Sequence, residues 1–160
     1  MRQTRYDRDK AVAYARRWAM SRNPAYFDFE TLGGDCTNFA SQCVYAGAGV
    51  MNYTRQTGWY YLTASDRTPS WTAVEYLYTF LTQNRSVGPF ARLVSRAEVQ
   101  SGDLVQLGNR EGVFYHCPVI TAVTPTILVA AHTVDALDRP LGSYDYDAIR
   151  FLHIEGVRIW

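Results

Sequence analysis

Hydrophobic and polar positions follow two different spacings along the chain, one before and one after about residue 100. In the first part, apolar residues recur every three or four positions, which is the period of an amphipathic helix. This spacing predicts helices over residues 9–21, from residue 36 to about residue 46, and from Ser70 or Thr72 to residue 81. The long connection over residues 51–69 lacks a clear period.

The second part of the chain changes to short β-rich runs bounded by turn residues. These runs predict strands over residues 103–107, 113–123, 127–132 and 149–160, with a polar loop over 135–147. Helices that come first and strands that come after indicate an α+β fold, in which N-terminal helices pack on an antiparallel β-sheet.

Length and composition agree with one folded domain. The chain has 160 residues, is 48% hydrophobic and contains no repeat or linker, so we expect a single domain over residues 1–160. A net charge of +1 gives no field that would attract nucleic acid. No run is long enough to span a membrane, and the charged N-terminus lacks the apolar region of an export signal. We therefore expect either a cytoplasmic protein or a module of a longer secreted chain.

Cys36 is the candidate nucleophile, because it opens a predicted helix directly after Gly33, Gly34 and Asp35. We expect the Asp35 carboxylate to cap this helix by accepting backbone N–H bonds from its first turn. Unpaired N–H groups and the helix dipole, together with a cationic partner, would lower the pKa of a thiol placed there. Cys43 lies two turns further on the apolar face and is interpreted as a packing residue.

Two of the three histidines are candidates for the base that a thiol nucleophile needs. His116 lies in the predicted strand 113–123, and His132 ends the strand 127–132. If these strands pair through the Thr124-Pro125 turn, paired residue numbers sum to roughly 248–249, which places His132 opposite His116 at ~5 Å. His132 could then orient the ring of His116. Asp135 and Asp138 are alternative orienting groups.

The remaining polar and aromatic candidates have simpler interpretations. His153 alternates with apolar residues and is interpreted as structural, and Cys117 as a packing residue. A zinc site is disfavoured because the short-range ligand pairs of most zinc sites are absent, so no metal is expected. Three neighbouring aromatic residues are candidates for lining a substrate groove, with core packing as the alternative: Trp59, Tyr60 and Tyr61.

The run GGDCTNFASQC over residues 33–43 resembles the nucleophile motif of the bacterial putative amidase domain, a family related to the papain-like NlpC and CHAP cysteine amidohydrolases. The resemblance spans nearly the whole chain. Its other motifs are YDRD at 6–9, PSW at 69–71, GDLVQL at 102–107, YH at 115–116, AHT at 131–133, DRPL at 138–141 and IRF at 149–151.

This resemblance implies a papain-like fold and a catalytic triad of Cys36, His116 and His132. It also implies that Asp35 and Asn38 support the nucleophile loop, and that the backbone N–H of Cys36 contributes to an oxyanion hole. The implied reaction is hydrolysis of an amide bond, in a peptide or a cell-wall peptide, through a thioacyl-enzyme and without a cofactor. A non-catalytic module that binds peptide or glycan strands is the alternative, and transfer of the acyl group to an acceptor other than water would use the same chemistry.

Overall fold

Antiparallel pairing organises most of the chain. The computed structural model describes residues 1–160 and contains four α-helices and ten strands. In chain order the elements are β1 (Arg2–Thr4), α1 (Arg8–Trp18), α2 (Cys36–Ala48), β2 (Tyr61–Thr63), β3 (Asp66–Arg67), α3 (Pro69–Thr72), α4 (Val74–Gln83), β4 (Gly88–Val94), β5 (Leu104–Gly108), β6 (Phe114–His116), β7 (Val119–Ala122), β8 (Leu128–Ala131), β9 (Ala136–Pro140) and β10 (Ala148–Ile159). The predicted α+β class with an antiparallel sheet is confirmed.

Eight of these strands form one sheet around the long strand β10. Its main path runs β1-β10-β5-β7-β8-β9, while β4 pairs with β10 and β6 pairs with β5. Strands β2 and β3 form a separate two-stranded ribbon within the long connection. None of the four helices has the length and apolar character that a membrane crossing requires.

The helices cover one face of the sheet. Helix α1 packs against α2, β7 and β8, and α2 also contacts β4 and β8. The start of α2 lies beside the end of β8 and beside β6. Gly47 allows the N-terminal segment to approach α2 closely, since a Cβ there would lie 2.5 Å from the Tyr6 ring and 2.7 Å from the Asp7 carbonyl oxygen. On the opposite face a smaller core forms around Val105 and Leu107 of β5.

Several predicted boundaries differ from the structure. The run 113–123 is divided into β6 and β7, because Cys117-Pro118 interrupts it and Pro118 has no N–H to donate to a ladder. The predicted polar loop 135–147 contains β9, whose backbone pairs with β8. The third predicted helix begins at Pro69 rather than at Ser70 or Thr72. That helix is instead two pieces, α3 and α4, separated at Ala73.

Candidate active site

Cys36 is the first residue of α2 and follows a tight turn. Gly33 and Gly34 have φ values of +91° and +99°, in the left-handed region that side chains rarely adopt. The Asp35 backbone N–H donates to Thr133 Oγ1 at 2.9 Å, which ties the turn to the end of β8. Cys36 is 8% exposed, so its thiol lies just beneath the surface.

Asp35 does not cap α2 as the sequence predicts. Its side chain makes no capping hydrogen bond; instead Oδ1 accepts from the Phe29 backbone N–H at 2.8 Å and from Asn38 Nδ2 at 2.9 Å. The carboxylate is turned towards the preceding loop because those donors, and His132, surround it. The N–H groups of the first turn of α2 therefore have no side-chain cap, and they can donate to a negatively charged oxygen.

His132 lies next to Asp35 and away from His116. Its Nδ1 is 2.5 Å from Asp35 Oδ2, its Nε2 donates to the Trp18 carbonyl at 2.8 Å, and its ring stacks on Phe39 at 4.1 Å. Both ring nitrogens are thus occupied, and the predicted orienting contact with His116 is wrong. The predicted register holds at Val119–Ala130, but β8 ends at Ala131 and His116 pairs with Leu107 of β5.

The hydrogen bonds of this buried pair fix the turn before Cys36. Both residues are 1% exposed. A carbonyl oxygen can only accept, so Nε2 of His132 donates to it. Asp35 also accepts two other N–H bonds and lies 3.7 Å from Arg22 Nε. Both side chains therefore have several partners, which hold the turn in one position.

Asn38 completes this support from within α2. Its Nδ2 group donates to Asp35 and to the Phe27 carbonyl at 2.9 Å, and its Oδ1 accepts from Trp71 Nε1 at 3.0 Å. The side chain therefore links the first turn of α2 to the loop before it and to α3. Asp35 and Asn38 both hold the turn before Cys36 in place.

The Cys36 sulfur faces the end of β6. Its polar contacts are with Thr37 Oγ1 at 3.7 Å and with the Tyr115 carbonyl oxygen at 4.0 Å. His116 is the next residue and is 7% exposed, but hydrogen bonds to histidine rings involve only His132 and His153. The chain therefore brings Cys36 and His116 to the same place without a direct hydrogen bond between them.

Burial keeps both groups neutral in this structure. It raises the pKa of the Cys36 thiol, and hydrogen bonds from Thr37 and from the Cys117 backbone only partly oppose it. The predicted lowering of this pKa by the helix start is therefore wrong for this state of the protein. Burial, with a further contribution from the charge of Arg139, lowers the pKa of His116 from 6.5 to about 4.

The residues beside the His116 ring come from the predicted polar loop. The Tyr144 ring lies 5.6 Å from the His116 ring, and the Arg139 guanidinium lies 3.6 Å from the Tyr144 centroid. Sequence reasoning missed both residues as parts of the site, although the DRPL motif contains Arg139. Neither Asp135 nor Asp138 orients His116: Asp135 pairs with Arg22, and Asp138 bonds Arg16 and Thr121.

The three groove candidates lie in the core. Trp59 is 0% exposed and donates its indole N–H to Ser41, while Tyr60 and Tyr61 are each 7% exposed. Their hydroxyl groups bond Asp66 and the Phe27 backbone N–H. The prediction that Trp59, Tyr60 and Tyr61 line a groove is wrong, because all three belong to the main core. Trp59 and Tyr61 pack against Trp71 of α3, and the Tyr60 ring packs against Tyr53.

The remaining candidates lie outside the site or only line it. His153 contacts buried Asp103 at 2.8 Å, and Cys43 is fully buried in the main core. Cys117 is also fully buried and is 3.5 Å from Gln106 Nε2. No group of three or more His, Cys, Asp or Glu side chains is arranged to hold a metal ion.

Comparison with known proteins identifies the family. The chain is 33% identical over 120 residues to the uncharacterized protein YhbB of Bacillus subtilis (strain 168), an alignment that covers 73% of this chain. The chain spans only 37% of the length of that relative. No solved structure matches. The family model described as "Putative amidase domain" matches residues 5–154. The chain belongs to this family, whose description indicates hydrolysis of amide bonds.

Proposed function

We propose that this chain is a papain-like cysteine amidohydrolase that cleaves an amide bond in a peptide, and in particular in a cell-wall peptide. The observation that carries the proposal is the position of Cys36, at the uncapped start of α2 and against the end of the strand that bears His116. The amidase family supports the reaction type. The cell-wall substrate is supported by the resemblance of the motifs to the NlpC and CHAP enzymes.

In the proposed cycle, His116 accepts the thiol proton as the Cys36 sulfur attacks the amide carbonyl carbon. The carbonyl oxygen gains a negative charge, and N–H groups of the first turn of α2 stabilise it. The C–N bond then breaks, and the departing amine takes the proton from His116. Water, deprotonated by His116, attacks the thioester, and release of the carboxylic acid returns the proton to the Cys36 sulfur.

A neutral starting pair is compatible with this cycle. His116 is unprotonated at neutral pH because its pKa is about 4, so it can accept a proton. Catalytic hydrogen bonds are often long in the absence of substrate and shorten in the reacting complex. In this proposal His132 is a positioning residue, which acts on Cys36 through Asp35 rather than on His116.

The test is incubation with purified muropeptides, followed by mass analysis of the products. The unchanged chain should add one water across an amide bond and release a new amine and a new carboxylate. Cys36→Ala and His116→Asn should abolish this cleavage. Cys43→Ala, which removes another thiol from the same helix, should retain it. Cleavage by Cys36→Ala at the unchanged rate would contradict the proposal.

The second candidate is a peptide- or glycan-binding module without catalysis. The raised pKa of the Cys36 thiol and the absence of a direct bond from Cys36 to His116 favour it. Such a module would retain muropeptides in a binding measurement, release no new amine, and bind equally well after Cys36→Ala. The same incubation therefore separates the two functions.

A further inference from the structure

Arg139 is a cation without a carboxylate partner. Its Nε and Nη2 donate to the Ser143 side chain and carbonyl at 2.8 and 3.1 Å, and its guanidinium stacks on the Tyr144 ring. These contacts fix the plane of the guanidinium and leave its Nη1 without a hydrogen bond to the protein. An arginine held in this way is prepared for a ligand anion, because little of its flexibility remains to be lost on binding.

The acidic residues nearest in sequence are bound elsewhere. Asp138 accepts hydrogen bonds from Arg16 and from Thr121 Oγ1, at 2.5 and 2.7 Å. Asp135 makes two hydrogen bonds with Arg22, both at 2.9 Å. The charge of Arg139 is therefore not neutralised by its own strand or by the turn that precedes it.

The Tyr144 ring places this charge beside the candidate base. One neighbour of the ring is the Arg139 guanidinium at 3.6 Å, and the other is the His116 ring at 5.6 Å. The charge is close enough to contribute to the lowered pKa of His116, after the larger effect of burial. An anion bound at Arg139 would accordingly lie within reach of a substrate that is attacked by Cys36.

We propose that Arg139 binds a carboxylate of the substrate, so that the site selects amides with a free carboxylate near the bond to be cleaved. Guanidinium and carboxylate form a charge-assisted, often bidentate pair, which a carboxamide cannot replace. This inference rests on the proposed function, since it takes Cys36 and His116 as the reacting groups. Binding would neutralise Arg139 and make His116 a stronger base while substrate is present.

The experiment compares iodoacetate with iodoacetamide as reagents for Cys36. In both, the sulfur displaces iodide from a CH₂ group and the thiol proton passes to solvent; the reagents differ in carrying a carboxylate or a carboxamide. The rate ratio for Cys36, normalised to that of glutathione, should favour iodoacetate, and Arg139→Gln should reduce it about tenfold. Mass analysis assigns the label to Cys36.

Arg158→Gln is the matched control. Arg158 also stacks on an aromatic ring, that of Phe90 at 3.7 Å, donates to the Asn84 carbonyl, and makes no ion pair with a carboxylate, but it lies at the far end of β10. This variant should keep the wild-type rate ratio. Equal ratios in wild type and Arg139→Gln would overturn the carboxylate site and leave amide hydrolysis by Cys36 unaffected.

A second measurement does not depend on the reactivity of Cys36. In the Cys36→Ser variant, N-acetylglycine should raise the pKa of His116, followed by its ring NMR signals, whereas N-acetylglycinamide should not. Arg139→Gln should remove the difference. If both compounds leave the pKa of His116 unchanged, or shift it equally, Arg139 does not bind the carboxylate. This result stands whether or not the chain hydrolyses muropeptides.

Discussion

Cys36 and His116 show how burial competes with a favourable helix position. The start of α2 carries free N–H groups, which favour a negative sulfur, yet the thiol lies in an apolar setting that favours its neutral form. Burial prevails and raises the pKa of the Cys36 thiol. In the proposed cycle, the proton therefore leaves the Cys36 sulfur during the attack on the substrate rather than before it.

This balance predicts the pH profile of Cys36 labelling. The rate of alkylation by iodoacetamide should rise with pH and reach half of its maximum above the ordinary thiol pKa of 9.0, because the thiolate forms late. Mass analysis of the labelled peptide measures this rate. Labelling that persists below pH 7 would show that the free protein already holds a thiolate, contrary to this expectation.

The lowered pKa of His116 predicts that the free energy of unfolding depends on pH in the acidic range. The unfolded chain titrates this ring near pH 6.5 and the folded chain near pH 4, so the unfolded state binds more protons between these values. The contribution of His116 to the free energy of unfolding is fully present above pH 6.5. It decreases by about 3 kcal/mol as the pH falls to 4. His116→Asn should flatten urea-unfolding stability over this window, and an unchanged slope would contradict the assignment.

The sequence suggests Cys36 and His116 as candidates because each has a local signal: a glycine-preceded helix start and a histidine in a β-rich run. Sequence reasoning missed Arg139 and Tyr144, which lie in a stretch without hydrophobic periodicity. It also assigned the wrong partner to His132. Two groups from different parts of the chain, Asp35 and the Trp18 carbonyl, bond to its ring nitrogens, and no pattern within one segment encodes that choice.

At the scale of elements, the Asp35–His132 pair joins the start of α2, the end of β8 and the end of α1. In His132→Ala, the Asp35 carboxyl group loses a hydrogen-bond partner at a site that is 1% exposed. His132→Ala should therefore lower the free energy of unfolding by about 3 kcal/mol. It should also alter the labelling rate of Cys36, which a remote stabilising contact would not do.

Glu75→Gln is the control for this prediction. Glu75 pairs with Arg150 at 2.8 Å, but its side chain is 61% exposed. Loss of that surface pair should change the free energy of unfolding by less than about 1 kcal/mol. Denaturant unfolding followed by tryptophan fluorescence measures both variants. Equal losses in the free energy of unfolding would show that the Asp35–His132 pair stabilises the fold no more than a surface pair does.

Elements with a pattern of their own could be predicted, and elements defined by a partner could not. Helices α1 and α2 carry apolar stripes, and β5 and β10 are visible as β-rich runs. Strand β9 has the half-buried sequence ALDRP, and it is a strand because its backbone pairs with β8. The stretch 59–61 has the composition of a binding surface, and only its packing against Trp71 shows that it belongs to the core.

At the scale of the whole molecule, Asp103 ties both ends of the chain to the sheet. Its carboxylate accepts from Arg8 Nη1 at 2.7 Å and from the Ile154 backbone N–H at 2.9 Å, and it contacts His153 Nδ1 at 2.8 Å. The residue is 0% exposed. The predicted structural role of His153 is consistent with this cluster, which joins α1, β10 and the turn before β5.

Asp103→Asn should destabilise the whole fold. An amide cannot accept all of these hydrogen bonds, and it leaves the Arg8 charge partly unpaired, so we expect a loss of about 3 kcal/mol in the free energy of unfolding. Glu155→Gln, which removes the exposed pair with Arg92, should cost less than about 1 kcal/mol. Similar midpoints for the two variants in thermal unfolding would contradict this expectation.

The bond between Asp35 and His132 also has a consequence for biosynthesis. The two residues are 97 positions apart, so the ribosome releases the cysteine well before the histidine that secures it. Until residue 132 has been added, the turn before Cys36 lacks one of the partners that fix it. The final position of this thiol therefore depends on residues far along the nascent chain, and not only on the segment that bears the sulfur.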